Sequence, residues 1–147
     1  MHHRKCFKLS GQAGARYHLS KEEIQILKTA ALIHDMPHCF YWDKEKSKYR
    51  TDYEHAQKNG EAIYDIARSL ITDQEKLTLL AAAVFFHMGI WGDKYNEQYG
   101  LYSDIFENGV ELRNHPIVLA VQESDFYSTR RFINVVLTEE ESQDDFR

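Results

Sequence analysis

Long hydrophobic runs are missing from this chain. No apolar stretch approaches the roughly 20 residues needed to span a bilayer, so no membrane-spanning segment is expected. Cysteine is scarce as well: Cys6 and Cys39 are too few for a disulfide framework or a zinc-ribbon ligand set, and reduced thiols in a cytoplasmic protein are the simplest reading. The amino terminus, Met-His-His-Arg-Lys-Cys, lacks the apolar stretch that follows the basic residues of a secretory signal. Excess positive charge is also lacking. A net charge of -5 argues against a membrane surface or extended nucleic acid as partner, although a local basic loop still suits a small phosphate. Internal repeats and low-complexity tracts are absent, and no segment carries a convincing period-two strand pattern.

What is present suits one domain. A chain of 147 residues can bury a core without staples, and 43% hydrophobic with 13% aromatic residues lies outside the disordered class. Ser20 with Glu23, Thr51 with Glu54 and Thr72 with Glu75 each have the spacing of a capping box, which starts helices near 21, 52 and 73. Pro116 suits the first turn of another helix. With a helix over 2–17, the expectation is an all-α bundle of about five core helices in residues 1–137. An acidic tail follows over 138–147. Residues 36–50 and 89–114 are read as long connections rich in aromatics, a length that in a compact domain points to function or mobility.

Eight histidines in so short a chain are unusual, and their placement carries the argument. Over 21–35 the apolar stripe Ile24, Leu27, Ala31 runs on at helical spacing to His34, with Asp35 beside it. Over 73–88 the stripe Leu77, Leu80, Val84 runs on to His87. In the helix between, His55 shares a side with Asn59, Ala62 and Ile66, and in the last helix Asp125 shares one with Ile117, Val121 and Phe132. A single histidine on an apolar face is ordinarily a satisfied core residue. Several ionisable groups turned to one interior are different, because burying them unpaired costs several kcal/mol each. A shared cation removes that cost, and imidazole with carboxylate suits manganese, iron, cobalt, nickel or zinc.

These residues resemble a known family. Ala30-Ala31-Leu32-Ile33-His34-Asp35 is similar to the signature of the HD-domain superfamily of metal-dependent phosphohydrolases. The family's ligand order, a histidine on the first helix, the His-Asp doublet, two further histidines and a distant aspartate, is matched by His3, His34 with Asp35, His55, His87 and Asp125. The resemblance implies one metal on His3, His34, Asp35 and Asp125, with Asp35 bridging to a second on His55 and His87; two divalent transition ions are expected, with magnesium a further option. Either His2 or His3 can serve as the first ligand. His3 is preferred because Cys6, Phe7 and Ser10 then follow on interior positions, whereas His18 is read as a surface or capping residue. The family's Gly-Lys pair after the doublet is replaced here by Met36-Pro37-His38, which leaves the usual phosphate-contacting lysine missing and offers His38 as donor or proton carrier.

The expected chemistry is hydrolysis of a phosphate ester by a metal-activated water, with Asp35, His38, Lys44 and Arg130 as catalytic candidates. Trp91, Tyr95, Lys48 and Arg131 are candidates for holding the substrate, a small phosphorylated molecule for which a nucleotide is the natural choice, since aromatic rings can stack on a base. The same rings, with Tyr99 and Tyr102, can instead seal the domain or support a homodimer contact. Glu54 can orient a ligand or serve only as a capping residue. Two other classes fit: an HD-type mixed-valent diiron oxygenase acting on a small polyol or phosphonate, and a non-catalytic nucleotide-binding module.

Overall fold

The computed structural model describes residues 2–36, 39–107 and 112–130. These are largely helical: α1 (His2–Arg16), α2 (Lys21–Ile33), α3 (His55–Ala67), α4 (Gln74–Phe85), α5 (Asp93–Asn96), α6 (Gly100–Glu107) and α7 (Pro116–Ser128). Short 3-10 turns cover Gly89–Trp91 and Leu112–Asn114, and an antiparallel hairpin joins β1 (Phe40–Asp43) to β2 (Lys48–Thr51). Each of the five expected helices is present, and each ends short of the expected bounds where those were given. The expected tail lies outside the described residues.

The core is centred on α4. Its residues Leu77 and Leu79 to Phe85 are all buried, as expected for a helix that is apolar all round. Helix α3 packs along one side of α4, α2 and α7 cover others, and α1 lies against α2 and α7. The α3–α4 contact is very close at Gly60, where an added Cβ would stand 2.6 Å from the Cβ of Phe85. A side chain there would push the two helices apart.

Start signals were only partly legible. The Ser20 box forms as expected, with Glu23 N donating to Ser20 Oγ at 3.2 Å and Ser20 N to Glu23 Oε2 at 2.7 Å. At α4, however, the cap is Asp73 and not Thr72: its carboxylate accepts from both Glu75 N and Lys76 N, and an anion at a helix N-terminus also benefits from the macrodipole. Thr51 is not a cap at all. It ends β2 in register with Phe40, and Asp52 Oδ1 accepts from Glu54 N in its place.

The described residues are largely helical, as expected, but the hairpin adds a small two-stranded sheet within and just beyond the 36–50 connection. Both of its faces are largely exposed, so the alternation that signals a half-buried strand has no reason to appear. Its stabilisation is local, through the ladder and an edge-on contact of Trp42 with Tyr49 at 5.1 Å between ring centres. The second long connection is also structured, holding α5, α6 and both 3-10 turns. Tyr99 and Tyr102 pack against Phe85 there, the sealing role rather than the stacking one.

Candidate metal centre

One end of the bundle gathers the ionisable residues: the start of α1 meets the end of α2 at His2 and His34, and the start of α3 meets the end of α4 at His55 and His87. His34 and His87 sit just past the ends of α2 and α4, and each folds back so that Nδ1 meets the carbonyl three residues earlier: Ala31 O at 2.9 Å and Val84 O at 2.7 Å. Carbonyls of a last helical turn lack their usual helical amide partner, so this contact gives them a donor and aims the other ring nitrogen inward. His55 opens α3 with Nδ1 at 2.6 Å from Asp52 O. His2 opens α1 with Nδ1 at 2.8 Å from Ser128 Oγ, whose hydroxyl donates to Asp125 O at 2.7 Å.

The four Nε2 atoms converge on two carboxylates. Asp125 Oδ1 lies 3.1 Å from His2 and 3.3 Å from His34. Asp35 faces both halves of the cluster: Oδ2 is 3.4 Å from His2 and from His34, while Oδ1 is 3.2 Å from His55 and 3.5 Å from His87. The histidines also face each other, with Nε2 atoms 3.3 Å apart for His2 and His34 and 3.1 Å apart for His55 and His87. His34 and His87 are buried, at 0% and 3% exposure, while His2 and Asp125 are part-exposed.

Protonation makes this arrangement informative. A carbonyl can only accept, so His34, His55 and His87 carry their protons on Nδ1 and, when neutral, turn an Nε2 lone pair inward. Ser128 uses its proton on Asp125 O, which makes His2 Nδ1 a donor as well. Four imidazole lone pairs and two carboxylates therefore confront one another at hydrogen-bonding separation. Only protons or cations between them make that favourable. Ligand atoms about 2.1 Å from a shared ion stand about 3.0 Å apart at octahedral angles and about 3.4 Å at tetrahedral ones, and the separations of 3.1 to 3.5 Å here match. Two groups of ligand atoms lie close enough to share an ion, His2 with His34 and Asp125, and His34 with Asp35 and His87; His55 Nε2 stands beside the second group, 3.2 Å from Asp35 Oδ1.

The electrostatics agree. Burial raises Asp35, but hydrogen bonds from His2, His55 and His87 outweigh it and hold the carboxyl far below its usual range. Asp125 is depressed likewise, burial being overcome by His2 and His34. Hydrogen bonds to Asp125 and Asp35 lift His2 to about 9. Fully buried His87 is pushed down by desolvation. In His55 burial opposes, and its bond to Asp35 wins, raising it.

The inward residue of α1 is His2, not the preferred His3. The buried stripe of that helix is Cys6, Ser10 and Ala13; one turn back from Cys6 lies His2, while Phe7 is 39% exposed. His3 stays close, its ring 5.3 Å from that of His34, but its Nδ1 is buried with no hydrogen-bond partner among the described residues. His18 is exposed in the left-handed turn between α1 and α2. In α3 the inward face carries His55, Asn59 and Gly60, and Ile66 is 61% exposed rather than on it.

Arg130 and Trp91 line a cavity of about 360 Å³ with His87 and Asp125. Phe126 stacks parallel to Trp91, and the Arg130 guanidinium lies 3.9 Å above the Phe126 ring. Tyr95 is elsewhere, on a second cavity of about 420 Å³ with Tyr41, Tyr53, Asp52 and Lys58. Lys44 and Lys48 are exposed on the hairpin, and neither lines the cavity beside His87 and Asp125. His38, Arg131 and Phe132 lie outside the described residues. Glu54 occupies the N-cap position of α3 but makes no side-chain cap bond; its Oε2 accepts from Tyr99 Oη at 2.6 Å instead. Sequence reading missed Ser128, Asp52 and Phe126, though the first two sit three residues from a recognised one.

No family model, curated protein or solved structure matches this chain.

Proposed function

We propose that this chain is a metal-dependent phosphohydrolase of the HD-domain kind, acting on a small phosphate ester through a dinuclear centre. Carrying this reading is Asp35, whose two oxygens each face a different pair of inward histidine lone pairs. His2, His34 and Asp125 would hold one ion and His55 and His87 the other, Asp35 reaching both. Bound cations supply there the Lewis acidity and the lowered water pKa that phosphoester hydrolysis needs.

The chain's own groups divide the remaining work. The Nδ1 contacts hold each imidazole in its ligating tautomer. Arg130, fixed over Phe126 at the mouth of the cavity, offers a cation to the non-bridging oxygens of a phosphate. Trp91, with 63% of its surface exposed, supplies an apolar wall for the rest of the substrate, which favours a leaving group with a flat ring such as a nucleoside.

The test is metal analysis of purified protein followed by a panel of nucleotides and a generic phosphodiester. Phosphate release dependent on Mn²⁺ or Co²⁺ is expected. Bound iron with oxygen uptake and no phosphate release would assign oxygenase chemistry to the same ligands, and a chain that takes up no metal would refute both.

A further inference from the structure

The four inward histidines are not held alike. His34 and His87 lean on carbonyls of the last turns of α2 and α4, and His2 leans on Ser128 in the last turn of α7. These acceptors are fixed by the helical frame. His55 leans on Asp52 O, which belongs to no helix or strand and lies in the turn between β2 and α3.

That turn is tied down by its own polar network. Lys58 Nζ reaches Asp52 Oδ2 at 2.6 Å from one turn along α3, Asp52 Oδ1 accepts from Glu54 N at 3.0 Å, and Asp52 N donates to Cys39 O at 2.9 Å. Glu54 is held in turn by Tyr99 Oη at 2.6 Å, with Lys58 3.8 Å away. Lys58 thus joins the aspartate whose carbonyl aims His55 to the helix that carries His55. Burial raises the Asp52 carboxyl, but Lys58 and the Glu54 amide more than offset this and hold it ionised.

We propose that Lys58 and Asp52 are positioning residues for the half of the centre formed by His55 and His87. By locking the 52–54 turn they keep the Asp52 carbonyl under Nδ1 and Nε2 toward Asp35. Loss of Lys58 leaves the carboxylate with only its bond from Glu54 N, so the carbonyl, which also accepts from His55 N at 3.1 Å, and the His55 ring are held less tightly. The His2, His34 and Asp125 half has no member in this network. The inference rests on the dinuclear reading.

The experiment is titration of metal-stripped protein with Mn²⁺ or Zn²⁺ by calorimetry, comparing the full chain with Lys58→Met, Lys58→Arg and Asp52→Asn. Supporting partners of metal ligands are typically worth 10- to 100-fold in affinity. Lys58→Met should weaken one of the two binding events by about that factor and leave the other within about twofold. Lys58→Arg, which keeps a cation on Asp52, should recover most of the loss. Asp52→Asn keeps the acceptor for Glu54 N and should give a smaller weakening of the same event; it serves if Lys58→Met does not fold, as judged by circular dichroism. Unchanged affinity in both binding events of folded Lys58→Met or Asp52→Asn, or an equal loss in both, would overturn the proposal. So would a Lys58→Met protein that binds both ions normally yet loses turnover, because Lys58 would then act on the substrate. Unsubstituted protein that binds fewer than two ions refutes the dinuclear reading instead.

Discussion

Gly60→Ala tests whether the α3–α4 packing builds the centre. An alanine Cβ there would lie 2.6 Å from Phe85 Cβ and 2.9 Å from Phe85 Cα, against an ordinary carbon contact of about 3.5 to 4.0 Å. The clash includes backbone of a fully buried segment, so no rotamer change relieves it, and α3 must retreat from α4 by up to about 1 Å. On an exposed helix the same change would stabilise by about 0.5 to 1 kcal/mol. Overpacking of a tight core instead costs about 1 to 3 kcal/mol, so the net is destabilisation by up to about 2.5 kcal/mol. At this chain size that lowers Tm by several degrees, about 2 to 4 °C per kcal/mol. The retreat also separates His55 from His87, whose Nε2 atoms now stand 3.1 Å apart. Thermal unfolding of metal-free protein, together with metal titration, reads both effects. An unchanged or raised Tm would refute the packing argument, and a lowered Tm with full affinity for both ions would refute its link to the centre.

Asp35→Ala should abolish phosphate release and strip most bound metal while far-ultraviolet circular dichroism stays unchanged; retained turnover would rule out the bridging role. Ser128→Ala removes the acceptor for His2 Nδ1, and calorimetry should show one binding event weakened about tenfold with the other unaffected. His2 is raised from 6.5 to about 9 by Asp125 and Asp35, so it binds its proton more tightly folded than unfolded. The stability this adds to metal-free protein is complete below pH 6.5 and is lost as pH rises through about 9. His55 shifts the same way, while depressed His87 acts below pH 6.5. Denaturant midpoints of chelated protein should therefore fall between pH 6.5 and 9, and saturating metal should flatten that fall. Asp73→Ala, which removes the acceptor for two amides of α4, should cost about 1 kcal/mol in the same assay, whereas Thr72→Ala should be nearly silent.

Much of this was legible along the chain because a helix writes its buried face into the sequence at fixed spacing. The runs ending in His34 and His87 marked the helices and their interior sides, and Asp125 followed from Ile117 and Val121. Choosing between His2 and His3 required the rotation of α1, which Cys6, Ser10 and Ala13 settle only when their burial is known. A hairpin exposed on both faces leaves no periodic trace, so β1 and β2 were not legible. Nor was the exchange of Thr72 for Asp73, since adjacent polar residues compete for one cap and the backbone decides between them.

Sequence by itself determined that a helical chain would carry imidazole and carboxylate on its interior faces, because spacing and side-chain chemistry are local properties. Tertiary structure alone decided that Asp35 would turn one oxygen to each pair of histidines, and that Lys58 would reach Asp52. Those relations join segments far apart in the chain or depend on the backbone path of a turn. The first is set by how closely helices approach, as α3 and α4 do at Gly60, and no local pattern encodes such a distance.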